Sequence, residues 1–577
     1  MAWGVPPWLI AFVAVLIAVW LVVDPRTPDL AAQVYRVGLF RQLGYAVWDD
    51  NWYAGHNLLG YSLLYPPLAL LLGIRALGAL CVLASSALFA RLAHAAYGDG
   101  ARWGAAWFAA AALGDVWIGR MTFALGVSLA LAAGLALMHD RRLWACVLAA
   151  LCAAASPVAA VLLGLAGLSL ALAQRSPRML LVLACPGAAV VLAQAALFPE
   201  GGYEPYPIVS FAATVLVALA FLWALPAPAR ALRIGAYVYL LACLACLLVH
   251  SPLGSNVERY GVLLAGPLLL CALGAPAAGT DGSLRRRLGP VAAVALCVTA
   301  VWVAWGPVRE TLAVAGSEAT SAAYYAPVKR FLAAQHGGPV RVEVPLTRSH
   351  WEAALLAPSV SLARGWDKQM ETRYDAVLLA GRLTAAGYDR WLHQQAVAYV
   401  ALPDVALDPS SAQEGRLIRH GLPYLRLVFT SAHWRIFRVL APTPLASGPG
   451  ELTALGHESF ALRASSAGRF VVRVHFTRYW ALTSGSGCVS QAPGGWTAVS
   501  VTAPGKVVVR AGFTLARAFS SGGTCRGGSA SGARSYVGVA RCWRWSASHG
   551  SAWRAPAWRP ARRAFRWVPA RTACCSR

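Results

Sequence analysis

The sequence predicts a polytopic α-helical membrane protein followed by a sizeable domain outside the bilayer. Three observations point there. The 577 residues are 58% hydrophobic and only 13% charged, about half the charge of a soluble chain. Apolar runs of membrane-spanning length recur up to about residue 306, which no single soluble core requires. After Pro307 the pattern changes to short alternating segments separated by Gly and Pro.

The first run, Trp8 to Val23, lacks a basic flank and a small-residue cleavage site, so it reads as a retained span rather than a signal peptide. Candidate spans follow at 61–91, 103–118, 120–138, 143–156, 157–173, 179–198, 208–226, 235–250, 259–275 and 289–306, about 11 in all with 7–23. The segment 61–91 is long for one helix, carries Arg75 near its middle, and opens on Pro66-Pro67. The stretch 143–173 is short for two helices and breaks at Ser156-Pro157. With the N-terminus in the cytoplasm, the inside loops hold Arg102, Arg141, Arg142, Arg175, Arg178, Arg230, Arg233 and Arg285 to Arg287. The outside loops hold Glu200, Glu204 and Glu258 with few basic residues. That asymmetry follows the positive-inside rule and puts the C-terminal domain on the extracytoplasmic side of a cytoplasmic membrane.

Beyond the membrane part (1–306), 307–445 reads as an α/β unit. Tyr324 to Ala334 and Leu383 to Gln395 have helical periodicity, and Val340 to Val344, Ala396 to Leu402 and Trp434 to Val439 alternate like strands. Residues 446–516 give further alternating runs, Ser459–Arg463, Arg469–Phe476, Trp496–Val501 and Lys506–Phe513, as in a small β-rich unit. The segment 517–577 differs in kind. Its last 57 residues hold eleven arginines, five tryptophans, four cysteines and no acid. Those residue types are what a GC-rich gene yields off-frame, so the tail reads as disordered or out of frame; a membrane-surface or nucleic-acid-binding tail is the other reading.

The net charge of +26 drops to +15 once those 57 residues are set aside. Much of the remainder sits in short loops where topology explains it, so no nucleic-acid partner is expected. Most cysteines are scattered through apolar runs as small hydrophobes, and no spacing resembles a metal or redox site. No cofactor is expected; a divalent metal has no support in the sequence. His350, His393, His420, His433 and His475 stand at no ligand spacing.

The first outer loop is the richest segment. Asp24 and Asp29 follow the first span, and Leu30 to Gly44 fits a helix lying at the membrane surface. Trp48, Trp52, Tyr53, Tyr61 and Tyr65 crowd the return to the bilayer. An aromatic belt with solvated charges explains most of this. It explains less well four carboxylates (Asp24, Asp29, Asp49, Asp50) with Asn51 and His56 in one short loop, and an active or binding site stands as the other reading.

The pattern of first span, Asp-Leu heading a helix, then Trp…Trp-Tyr…Gly…Gly-Tyr…Leu-Tyr-Pro-Pro-Leu resembles a group of bacterial membrane proteins labelled as related to 6-pyruvoyl-tetrahydropterin synthase. These in turn resemble GT-C type glycosyltransferases and YfhO-like membrane proteins. Leu362 to Gln369 and His433 to Val439 carry the same resemblance, which spans roughly 5–515. No His triad suited to zinc is present, so the label implies no pterin chemistry.

The resemblance implies a GT-C-like membrane domain that takes sugar from a polyprenyl-phosphate donor in the bilayer and passes it to a glycan or lipid acceptor. Asp29, with Asp24 second, fits the aspartate that acts as base or orients the acceptor. Such a carboxylate must sit near the headgroup plane, within hydrogen-bond reach of a hydroxyl and open to water. Donor phosphate needs cations at the same face. Arg259, Arg36 and Arg120 are the candidates, each weighed against an arginine that merely snorkels. Tyr53, His56, Tyr65, Glu204, Arg364, Trp366 and Gln369 are candidate acceptor or sugar contacts; 364–369 reads equally well as a loop docking the outer domain. Two other classes remain open, a non-enzymatic scaffold or flippase-like protein of envelope polymer assembly and a secondary transporter. The near absence of acids in mid-span argues against the transporter.

Overall fold

The computed structural model describes residues 5–275, 282–520 and 522–525, with backbone alone over 282–288. Helix α1 (Pro7–Val23) stops where Asp24 turns left-handed, φ 44°, its amide donating to the Trp20 carbonyl. Pro25 and Pro28 lack the amides needed to carry α1 onward. Helix α2 (Pro28–Leu43) therefore sets off at 82° to α1. A ribbon of β1 (Trp48–Asp49) and β2 (His56–Asn57) leads to α3 (Tyr65–Leu72), which ends at Gly73. The helices α4 (Ile74–Tyr97), α5 (Arg102–Trp117), α6 (Met121–Met138), α7 (Arg142–Ala155), α8 (Pro157–Gln174), α9 (Arg178–Leu183), α10 (Cys185–Leu197), α11 (Ile208–Ala224), α12 (Arg230–Leu248), α13 (Glu258–Gly274) and α14 (Gly282–Val314) complete the bundle. Small residues set the helix contacts, as membrane packing favours. Gly104 leaves no room for a Cβ against the Cys271 sulfur, and Gly126 lies against Ala159 and Ser156.

Among the described residues, six helical stretches are long and apolar enough to cross a membrane, or seven if the bent α1–α2 pair counts as one. The expected count of about 11 is therefore too high. At 1.5 Å per residue, α7, α10 and α11 reach only about 20–26 Å, short of the roughly 30 Å hydrocarbon core. Ser156 ends α7 and caps α8, its Oγ accepting from the Ala159 amide at 3.3 Å, so 143–173 is two short helices. Helices α4 and α5 make up a stretch of 44 residues that folds back on itself at the tight turn 98–101, so that Gly78 near the start of α4 lies against Val116 at the end of α5. Hydropathy had also counted Ala- and Gly-rich faces that serve helix packing. The orientation read from loop charges rested on that count.

The extramembranous C-terminal region is mostly β-sheet. Strands β3 (Arg341–Glu343), β4 (Ser361–Leu362), β5 (Val397–Pro403), β6 (Leu425–Thr430) and β7 (Trp434–Val439) form a mixed sheet in the order β4-β3-β5-β7-β6. Helices Ala326–Ala333, Ala385–Gln394 and Ala412–His420 accompany it. Next come β8 (Ala446–Ser447), β9 (Gly450–Leu455), β10 (Ser459–Ala464), β11 (Gly468–His475), β12 (Trp480–Ser484), β13 (Gly487–Gln491), β14 (Trp496–Val501) and β15 (Gly505–Ala511). They make two antiparallel sheets, β12-β15-β10-β9 and β13-β14-β11-β8. Alternate residues such as Phe460, Leu462, Phe470, Val472, Val499 and Val509 fill the space between the two.

The sandwich does not end at residue 516. Leu515–Ala518 forms a helical turn, and Thr524 exchanges two hydrogen bonds with the Val489 backbone. Cys488 in β13 is disulfide-bonded to Cys525 across 37 residues. The out-of-frame reading of the tail otherwise lies outside the described residues, which end at 525. Closing a loop of that length restricts the unfolded chain by about 3–4 kcal/mol. Cys488→Ser with Cys525→Ser is therefore expected to weaken hydrogen-exchange protection of β13 and β14 markedly while leaving α4–α6 unchanged. Unaltered protection of β13 would show that the bond carries no stability.

Candidate functional site

The first loop does not lie on the membrane as a belt; it is built into the extramembranous region. Trp48 and Trp52 are almost fully buried. The Trp52 indole donates to the Ala353 carbonyl at 3.1 Å and Asn51 Nδ2 to the Ala357 carbonyl at 2.6 Å. The Leu362 amide donates to the Asn51 carbonyl. Asp49 accepts from Tyr35 at 2.7 Å and pairs with His457 at 2.9 Å. Trp48 donates to Asp50 at 2.6 Å. Burial pushes Asp50 well above the carboxylate range, against the Trp48 hydrogen bond. Burial also holds His56 below its ordinary value, and the ring stacks on Trp52 at 5.6 Å.

Helix α2 lies between this layer and the bundle. Asp29, Gln33 and Arg36 stand at i, i+4 and i+7, one face of the helix. The turn between α5 and α6 rests on the start of α2. Thr27 Oγ1 donates to the Trp117 carbonyl at 3.1 Å, and Gly119, with φ +91°, fits because it has no Cβ; one placed there would clash with the Leu30 amide nitrogen. That close approach brings Arg120 to Asp29, with Nε 3.7 Å from Oδ2, while Nη1 pairs with Asp115 at 3.2 Å. Asp115 is buried; Asp29 keeps 37% of its side chain exposed.

Arg259, in the first turn of α13, lies within electrostatic reach of Arg120, Asp29 and Asp115. Unlike Arg120, it has no carboxylate within 4 Å among the described residues. Its guanidinium sits 5.2 Å over the Phe123 ring, and its buried Nε has no hydrogen-bond partner. Glu204 accepts from Ser255 at 3.1 Å in the turn leading to Arg259. Burial pushes Glu204 up to about 7, against that hydrogen bond and Arg259. Further along α2, a small pocket of about 40 Å³ opens between Gln33, Arg36, Tyr61, Ser62 and Thr122, with Phe40 and Leu58 on its apolar side. Gln33 donates to the Tyr61 hydroxyl at 3.0 Å, and Arg36 stacks on that ring at 3.6 Å.

The structure thus gathers Asp29, Arg120 and Arg259, with Glu204 close by. It separates the other candidates from them. Asp24 pairs with Arg75 and Arg26 on the far side of the α1–α2 bend. Arg36 lines the pocket but holds Asp367 at 3.1 Å. The Tyr53 hydroxyl exchanges hydrogen bonds with the Asp367 backbone, and Tyr65 is buried with its hydroxyl unpartnered. Arg364 is enclosed by carboxylates, Trp366 stacks on His350 at 3.5 Å, and Gln369 donates to the Pro252 carbonyl at 3.0 Å. Residues 364–369 therefore join the extramembranous region to the bundle. Sequence reasoning did not single out Asp115, Gln33 or Thr122, and placed Tyr61 only among the aromatics at the return to the bilayer; the i, i+4, i+7 spacing from Asp29 was the available signal for Gln33. Among the described residues no group of three or more His, Cys, Asp or Glu is placed to hold a metal. No family model matches the chain, and no curated protein matches it.

Proposed function

We propose that the chain is a membrane glycosyltransferase of the GT-C kind. It moves a sugar from a polyprenyl-phosphate carrier to a hydroxyl of a glycan or lipid at the outer face of the cytoplasmic membrane. The observation that carries this is the juxtaposition, at one end of a membrane bundle, of a partly exposed carboxylate, Asp29, with Arg259, which has no carboxylate within 4 Å among the described residues. Asp29 takes the acceptor proton as the acceptor oxygen bonds to C1 of the sugar. The bond from C1 to the phosphate oxygen breaks, and Arg259 meets the charge left on the phosphate. Arg120 is a positioning residue, tied to Asp115 and turned toward Asp29. The gathering of Asp29 with two arginines is consistent with the resemblance to GT-C enzymes, which is an argument from analogy. The Cys488–Cys525 bond supports an oxidising, extracytoplasmic side for the C-terminal region.

Transfer of labelled sugar from a panel of polyprenyl-phosphate donors, measured in proteoliposomes, tests the reading. Wild type is expected to transfer from at least one donor. Arg259→Gln is expected to raise the donor KM roughly 10- to 100-fold, the loss of one or two charge-assisted hydrogen bonds. Absence of transfer across the whole donor set would favour a scaffold or flippase-like protein.

A further inference from the structure

We propose that residues 512–520, at the foot of the β-sandwich, form a second membrane contact in which Phe513, Leu515 and Phe519 enter the headgroup–acyl boundary of the bilayer. From residue 446 to 525, these are the exposed large apolar side chains among the described residues, at 43%, 69% and 81% exposure. All three fall on one short segment instead of being scattered as on an ordinary surface.

The place of the segment identifies what covers it. The Phe513 ring lies 5.9 Å from Phe198 and 5.8 Å from Tyr479, and the Tyr479 hydroxyl donates to the Leu197 carbonyl at 2.6 Å. Leu197 is the last residue of the apolar helix α10. Five residues back, about 7.5 Å along the helix axis, Leu192 is 69% exposed on the outside of the bundle. The patch is therefore continuous with the surface that the bundle turns to lipid.

The segment is also built to leave water. The Arg517 amide donates to Thr514 Oγ1, the Arg517 guanidinium to the Gly512 carbonyl at 3.0 Å, and Arg478 to the Ala518 carbonyl at 2.6 Å. Ser520 Oγ donates to the Arg517 carbonyl. Backbone groups satisfied within the segment remove the main cost of entering a low-dielectric layer. Arg478 and Arg517 stay at its edge, where phosphates lie. This contact does not depend on the proposed transferase activity. It would fix the height of the sandwich over the bilayer at a point remote in sequence from α14.

A fluorescent amino acid placed at 515 or at 519 in the full chain tests it. The protein is held in nanodiscs of phosphatidylcholine with a minor share of phosphatidylglycerol. Lipids spin-labelled near the glycerol backbone are expected to quench either probe by roughly half or more, and lipids labelled at the chain end to quench less. The same probe at Lys506, about 20 Å away along β15, is expected to show water-like emission and no quenching. Retention of the Cys488–Cys525 bond on a non-reducing gel verifies the fold of each variant. Water-like emission at both 515 and 519 would overturn the proposal. So would blue-shifted emission without lipid quenching, which would mean that protein covers the patch: a second copy or the chain beyond 525.

Discussion

Asp29→Asn is expected to lower kcat for sugar transfer roughly 10²- to 10⁴-fold while leaving the protein folded and present at the membrane. Asparagine keeps the shape and loses the basic oxygen, so the acceptor hydroxyl has nowhere to send its proton. Little stability should go with it. The Asp29–Arg120 contact is 3.7 Å long and partly exposed, whereas Arg120 keeps its shorter pair with buried Asp115. An exposed pair of that kind contributes at most about 1 kcal/mol. Asp115→Asn makes the useful contrast: it frees Arg120 to swing fully onto Asp29 and should damage turnover through geometry, with Asp29 still able to act as base. Wild-type kcat in Asp29→Asn would take that carboxylate out of the chemistry.

What the sequence disclosed depended on the range of the interaction. Trp434–Val439, with one buried face, stands where the alternation put it, and so does Trp496–Val501, although both of its faces are covered. Neighbouring β6 was not recognised because its residues are nearly all half-buried or exposed, leaving no period to read. The membrane part was overcounted because an apolar run does not reveal where a helix ends. Gly73 separates α3 from α4 and sets Arg75 beside Asp24 at a helix start instead of in mid-membrane. Asp29 was legible from its place after the first span. Its partner Arg120 could be suspected but not paired, since the pairing depends on Gly119 letting one turn rest on another. Contacts such as Arg36 to Asp367, 331 residues apart, have no signature in a single sequence. The aromatic residues of the first loop were legible as unusual for a solvated loop, but that they line an interdomain core was not. Cys525 was discounted with the tail, which hid the disulfide.

Arg364→Met is expected to destabilise the five-stranded sheet region by about 3–5 kcal/mol, the cost of leaving buried carboxylates without their cation. Arg364 is fully buried. Its Nη1 meets Glu414 at 3.2 Å and Glu343 at 3.7 Å, and its Nη2 meets Glu371 at 3.1 Å; Lys368 adds a second contact to Glu371 at 2.7 Å. Asp375 completes four acids facing two cations. Burial pushes Glu343 and Glu414 upward and carries Asp375 to about 8, against the pull of Arg364. Against the same burial, Arg364 and Lys368 hold Glu371 below its ordinary value. Acids raised in the fold bind more protons folded than unfolded, so they subtract stability as pH rises from about 4 through about 8. Glu371, lowered in the fold, works the other way, and its contribution is lost only as pH falls below about 4. Hydrogen-exchange protection of β3 and β5 should therefore be higher near pH 5 than near pH 9, with Arg364→Met steepening the alkaline loss. Glu343→Gln should flatten it, because Glu343 is buried beside Glu414 and meets Arg364 only at 3.7 Å. Equal protection at both ends of that range in wild type would mean that Arg364 and Lys368 keep all four carboxylates ionised in the fold, and the upward shift assigned to Glu343, Glu414 and Asp375 would have to be withdrawn.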